Sequence, residues 1–477
     1  MVKPVSKWSV KREEVVACVV ALLVGLFAAA VVHLVFGEEF ATRQQARMYA
    51  PIVGQFYGEG QRDQVRALLI DDASLEEAGQ VWPARYAYSA RLLAALAHYR
   101  PKAVFVDIYY QAQRDDASIG RLVNQLCAMQ EQGIPVKLAA VRDASGAYRL
   151  RPELEAVAGR CFEKVSVRYQ PDEIDHLAWN YVLEADGGPG QPPLRSAALA
   201  LAASGGAELP HGHHPMSVTW GLRPARSGLA WHDGGPAQRA YCRPDHGVFE
   251  LLPMGVREWM YHDTQQPVCI FHDTLRASEL SQTSASDEAR LRHELEGKYV
   301  VLGLATSGSG DMVYSPIHGR IPGLYLHAMA LDNILTFGAH APQDVHLIGA
   351  GSASAWIFQL AALSVLIICL RALKHPAKAW LNTYYYEKIN ECHRFKVGEF
   401  APLTGIGFLL LCVVQLLLSL VLGCAMLWLG QKVFHIGFLS LIGIVFVTLV
   451  AEWTEFNEHL LERVYPPAAK EPSHPKN

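Results

Sequence analysis

The 477-residue chain has no excess of positive charge: 42 Lys and Arg stand against 46 Asp and Glu, with a net charge of -4 and an isoelectric point near 6.6. Without a global basic field, nucleic acid is not an expected partner. The chain has no internal repeat at solenoid periods, which sets repeat architectures aside. Residues 303–311, GLATSGSGD, look like a phosphate loop but lack the lysine of G-x-x-x-x-G-K-[ST]. A tight turn beyond a buried strand accounts for them better. His211, His213, His214, His232 and His246 are dense enough for a metal site. They lack regular ligand spacing and sit among Gly and Pro, so a solvated loop is the better reading. Neither a metal ion nor another cofactor is expected.

The chain does contain long apolar runs, unevenly placed. The hydrophobic fraction of 51% and mean hydropathy of +0.11 average over a polar middle and apolar ends. Residues 15–36 carry no acidic or basic side chain other than His33. At about 1.5 Å per residue they cover a hydrocarbon core of roughly 30 Å. The run ends in Phe36, Gly37 and Glu38 rather than at a small-residue cleavage site, so an uncleaved signal anchor is expected. Three further runs fill residues 347–370, 401–429 and 433–450. Only Gly430, Gln431 and Lys432 join the last two, which requires a tight helical hairpin.

Lys3, Lys7, Lys11 and Arg12 lie in the N-terminal segment, residues 1–14. Arg371, Lys374, Lys378, Lys388, Arg394 and Lys396 lie in residues 371–400. The positive-inside rule puts both segments in the cytoplasm. Residues 37–346 then form an extracytoplasmic domain, on the periplasmic side of an inner membrane, and residues 451–477 a cytoplasmic tail. Tyr384, Tyr385 and Tyr386, in the 371–400 loop, suit either the membrane interface or a cytoplasmic partner. Cys127, Cys161, Cys242 and Cys269 fall outside the membrane, where disulfides are permitted; three pairings are possible, and buried free thiols are an equal alternative.

The outside domain alternates strand and helix. Apolar runs at residues 65–70, 103–106, 136–141 and 299–304 read as buried strands. Residues 85–99, 119–131, 196–203 and 323–337 read as helices. Connections this short predict an α/β domain with a mostly parallel sheet, right-handed crossovers and flanking helices. Between residues 153 and 286 the pattern weakens, which predicts peripheral strands and long loops. Asp71, Asp72, Asp107 and Asp311 each follow a strand, and in a parallel sheet ligands bind beyond the carboxyl ends. Acids gathered there could grip a cation, a polyol or a cationic ligand. Each could equally cap a helix or satisfy loop amides.

Residues 68–110, LLIDDASLEEAGQVWPARYAYSARLLAALAHYRPKAVFVDIYY, resemble the opening of the CHASE-2 domain, an extracytoplasmic sensory module of bacterial membrane receptors. Asp71, Asp72, Ser74, Leu75, Trp82, Pro83 and Asp107 match that pattern, with Arg85 one residue closer to Pro83 than the pattern has it. Residues 297–335 are similar to its closing block, where Gly303, Asp311, Pro316, Pro322, Gly323, His327 and Ala328 fit. The resemblance implies a sensory, non-enzymatic domain with Asp71, Asp72, Trp82, Arg85, Asp107, Asp311 and His327 as candidate ligand-binding residues. The Trp82–Pro83–Arg85 turn could roof a crevice, or simply start a helix, and Arg85 could pair with Asp107. The family's usual cytoplasmic output domain has no counterpart in the short tail, so the output is expected in a separate protein. Two copies of the chain could also associate as a homodimer. The rival readings are a scaffold of an envelope complex and, less favoured, an extracytoplasmic metal-dependent hydrolase.

Overall fold

The computed structural model describes residues 38–343, apart from 189–190, 211–213, 227–229, 233–234, 238–241, 253, 282–283 and 307–309, together with a few positions between 365 and 430. The chain divides into two compact units, Ala46–Asp344 and a second that gathers Met1–Gln45 with Val345–Asn477. The four expected spans, residues 15–36, 347–370, 401–429 and 433–450, lie outside the described residues except for scattered positions. Among the described residues no helix is long and apolar enough to cross a membrane.

The unit Ala46–Asp344 is built on a seven-stranded sheet. Its strands are β1 (Val65–Asp71), β2 (Ala103–Val106), β3 (Val136–Arg142), β4 (Tyr148–Arg149), β5 (Glu163–Ser166), β6 (Thr274–Arg276) and β7 (Tyr299–Ala305). The order is β6-β1-β7-β2-β3, with β5 paired parallel to β3 and the short β4 antiparallel to it. Every residue of β1, β2 and β7 is buried. That explains why these strands read as unbroken apolar runs, as strands covered on both faces do.

Side-chain alternation sorts each strand onto two faces. Leu68, Ile70, Val104, Val106, Val300 and Leu302 face one core, where helices α2 (Asp72–Glu77), α3 (Tyr86–His98), α4 (Ile119–Glu131) and α7 (Ala285–Leu295) pack. Ala67, Leu69, Phe105, Val301 and Ala305 face the other, under α5 (Ala197–Ser204) and α8 (Leu324–Phe337). The chain steps from β1 to β2 to β3 over the first face. It returns toward β6 over the second, past α5, and reaches β7 through α7 on the first face again. Forward steps on one face and the return on the other are what a single crossover hand requires.

The expected strands and helices are all present, with ends shifted by a residue or so. The region of weak pattern holds short ladders, among them Asn180–Tyr181 with Met216–Ser217, Glu184–Ala185 with Leu194–Arg195 and Ala230–His232 with Gly235–Ala237. It also supplies elements without a strong sequence signal: β5, β6, α6 (Met254–Tyr261) and α7. Another, α1 (Glu38–Gln55), precedes the sheet. Of the three possible cysteine pairings, the structure forms Cys127–Cys161, which ties α4 to the approach to β5, and Cys242–Cys269.

Candidate functional site

After β7 the chain passes to α8 on the second face, whereas after β1 and β2, its two neighbours, it passes to helices on the first. Loops that diverge to opposite faces leave a crevice at the carboxyl ends of the strands, the usual ligand position in an open α/β sheet. β7 therefore has a crevice on each side, with Asp71 in one and Asp107 in the other.

On the β1 side, the Asp71 carboxylate meets groups of the chain at both oxygens, through hydrogen bonds at one and through an ion-pair contact alone at the other. The residue is 0% exposed. One oxygen accepts the Ser74 backbone N–H at 2.8 Å and the Ser74 hydroxyl at 2.5 Å, capping α2. The other faces Arg276 Nε, at the end of β6, at 3.4 Å. Asp72 lies in the first turn of α2, exposed to solvent. Asp71 thus caps a helix and faces an internal cation, and the structure places it on the other side of β7 from Asp107.

On the β2 side the arrangement differs. The Asp107 N–H donates to Leu302 O at 2.7 Å, extending the β2–β7 ladder by one residue. Alternation then turns Asp107, like Phe105, toward the α8 face. The residue is 3% exposed, and neither carboxylate oxygen has a hydrogen-bond partner among the described residues. Thr306, the residue after β7, likewise has a buried hydroxyl without a partner. Most buried polar groups in proteins are paired, so three such atoms on adjoining strand ends single out this corner as a candidate site.

Asp311 and His327 complete the cluster. Asp311 follows β7 and hydrogen-bonds through its backbone O to the Gly323 N–H at 3.0 Å, at the start of α8. Gly323 leaves room for the acid: a Cβ there would lie 2.6 Å from Asp311 Oδ1. His327, in the first turns of α8, places Nε2 3.7 Å from Asp107 Oδ2, beyond hydrogen-bonding range. Its Nδ1 lies 2.7 Å from the Tyr181 hydroxyl. The Tyr181 oxygen already accepts the Ala198 N–H at 3.2 Å and a Ser196 hydrogen bond, so its own hydrogen goes to Nδ1. That network assigns the remaining imidazole hydrogen to Nε2, on the Asp107 side.

Burial, and then the charge of Asp311, hold the Asp107 carboxyl well above the usual carboxylate range. Burial pushes Asp311 up to about 6 and His327 down to about 3. Tyr109, 43% exposed in the loop after β2, has its hydroxyl pushed up by burial and by both acids. The crevice thus combines two acids that burial raises above the usual carboxylate range, a neutral imidazole and an exposed phenol ring.

Trp82 and Arg85 lie elsewhere. The Trp82–Pro83 peptide bond is cis, and Trp82 packs partly buried on the first core, with the Arg114 guanidinium 5.9 Å from its ring. Asp116 and Ser118 accept the Tyr86 and Ala87 N–H groups at 2.7 and 3.0 Å, so the 114–118 loop clamps the start of α3. Arg85 is exposed and its charge acts on Asp116. The expected Arg85–Asp107 pair is replaced by the approach of His327 to Asp107. Among the expected histidines, His246 pairs with Asp263 at 2.9 Å and stacks on Tyr261. Among the described residues, no group of three His, Cys, Asp or Glu could hold a metal ion. Thr306, Tyr109 and Tyr181 were not singled out from sequence. Tyr109 could have been, from its place directly beyond an acid-tipped strand, whereas Tyr181 joins the site only through tertiary packing.

A sequence-family model described as the CHASE2 domain matches residues 16–369, about three quarters of the chain. It runs from the first expected span to the second. No curated protein and no solved structure matches the chain.

Proposed function

The chain belongs to the CHASE2 domain family, a family of sensory domains, and on that premise we propose that it is a membrane-anchored, extracytoplasmic sensor whose ligand enters the Asp107 crevice. The observation that carries this reading is the Asp107 carboxyl, buried with both oxygens unpaired at a strand-end crevice. An orphaned buried carboxyl destabilises the free domain, and a ligand that pairs with it recovers that loss.

Transmission would run through α8. His327 lies near its start, and Asp332 and Asn333 lie further along. Asp332 accepts the Tyr57 hydroxyl at 2.5 Å and faces His272 Nε2 at 3.3 Å. Asn333 Nδ2 donates to the Tyr57 oxygen at 3.3 Å. Tyr57 follows α1, which begins directly after the first expected span, and α8 ends ten residues before the second. One helix therefore touches the crevice and the residue that anchors the end of α1. A ligand can bias this helix only through unequal affinity for two arrangements of it. The four expected spans, with their basic flanks, would carry the bias to a separate cytoplasmic or membrane protein. The aromatic, basic 371–400 segment is the natural place for such a partner to dock.

The scaffold reading has one observation of its own. No residue of α6 is buried, and Met254 and Trp259 on it are 62% and 77% exposed, a surface suited to docking. The two readings part on the fate of Asp107. Full-length wild-type and Asp107→Asn protein would be purified in parallel from native membranes and denatured, and the released small molecules compared by mass spectrometry. A sensor releases a small molecule that the variant lacks, while co-purifying proteins are the same for both. Identical small-molecule profiles would contradict the sensor reading and leave the scaffold.

A further inference from the structure

We propose that the Asp107 crevice binds an organic cation, a protonated amine or guanidinium, held between the Asp107 and Asp311 carboxyls with the Tyr109 ring at its mouth. This rests on the sensor reading above and narrows it to a ligand class.

The first line of support is the other side of β7. There Asp71, at the end of β1, meets a cation that the fold itself provides, the Arg276 guanidinium at 3.4 Å. Two donors from Ser74 meet its other oxygen, while the oxygen beside Arg276 has that ion-pair contact and no hydrogen bond. Asp107 occupies the corresponding strand end on the β2 side and receives none of this. Neither Asp107 nor Asp311 has a lysine or arginine acting on it; the influences on the pair are burial and, for Asp107, the second acid. Two acids brought together out of water without a counter-charge favour any ligand that supplies one.

Second, His327 could fill this role only as an imidazolium. Its Nδ1 is committed to Tyr181, and its ring is packed edge-on against Phe105, with centroids 5.1 Å apart. Buried at 6% exposure, it stays neutral and can offer Asp107 only an Nε2–H dipole at 3.7 Å. No described residue supplies the missing positive charge, and a ligand would.

The third line separates an organic cation from a metal ion. Among the described residues no three His, Cys, Asp or Glu side chains gather to hold a metal ion, although a magnesium ion that keeps its waters needs only one or two carboxylates, so magnesium is one of the probes below. An ammonium or guanidinium needs hydrogen-bond acceptors instead. The two unpaired Asp107 oxygens and the Thr306 hydroxyl oxygen provide three within the buried part of the crevice. Carboxylates and an exposed aromatic ring are also the standard surroundings of bound organic cations, through charge-assisted hydrogen bonds and cation–π contact.

The test uses full-length protein in detergent, with thermal unfolding and calorimetric titration against four probes: putrescine, agmatine, the neutral isostere 1,4-butanediol, and magnesium chloride. The proposal expects putrescine or agmatine to bind and to raise the unfolding midpoint, and butanediol and magnesium to do neither. Asp107→Asn and Asp311→Asn should each weaken amine binding at least tenfold, and Glu173→Gln, an exposed acid remote in sequence, should leave it unchanged. Both site variants are near-isosteric, and their own unfolding transitions show whether they fold. Butanediol binding as tightly as the amines, or magnesium binding lost in Asp107→Asn, would overturn the cation class while leaving the crevice a ligand site. Absence of binding by all four probes, with Asp107→Asn indistinguishable from wild type, would overturn both the class and the site.

Discussion

The two sides of β7 are alike in topology and opposite in chemistry. On one side the chain spends an arginine and a serine on Asp71, and the result is a capped helix and a closed corner. On the other side Asp107 sits as deeply, next to a second acid, with no hydrogen-bond partner among the described residues at either of its oxygens. Equal burial with unequal satisfaction distinguishes a structural acid from a binding one more sharply than position after a strand does.

The comparison breaks most visibly at Asp71. Asp71→Ala removes the α2 cap and two buried hydrogen bonds and leaves Arg276 without its partner. We expect a loss of about 2–3 kcal/mol in unfolding free energy, read by denaturant titration. A loss as small as that of a surface substitution would mean the Asp71 corner is not structural. Next comes Gly323→Ala. The backbone there is ordinary, at φ -58°, so the cost arises from the new Cβ against Asp311, 2.6 Å away. About 1–2 kcal/mol is expected, together with weakened putrescine binding as Asp311 is displaced. Unchanged binding would remove Asp311 from the site. The smallest effect is expected at Arg85, exposed and outside both corners: Arg85→Ala should change stability by no more than about 0.5 kcal/mol and leave binding alone.

Much of this fold was legible because buried parallel strands write themselves as apolar runs. VRALLI, AVFV and YVVLGL could be placed almost to the residue, and so could the stripe Leu122, Leu126 and Met129 of α4. β5 and β6 were not legible, since EKVS and TLR are short edge strands whose burial comes from neighbours far along the chain. Gathering acids at one sheet edge was a correct inference from topology. Separating them was beyond sequence reasoning, because Arg276 reaches Asp71 from a strand without a signal and Tyr181 reaches His327 from a region without a pattern. Trp82 and Arg85 were singled out through their resemblance to a family motif, and the structure uses that turn to begin α3 against the 114–118 loop.

The uncompensated state of Asp107 can be measured through the pH dependence of stability. Its carboxyl and that of Asp311, about 6 in the latter, are raised above the ordinary value near 4. The folded state therefore holds their protons more tightly than the unfolded state does. Stability from this pair is full below about pH 4 and is lost as pH rises through the raised values. His318 and His327, lowered to about 4 and about 3, act oppositely: their contribution is full above about 6.5 and is lost as pH falls. Because the two effects overlap, the informative quantity is the unfolding free energy of Asp107→Asn minus that of wild type in the full-length protein, without added ligand, at pH 4 and at pH 7. The account predicts that this difference moves in favour of the variant as pH rises. A difference for Asp107→Asn that is flat, or that moves against the variant, would contradict it.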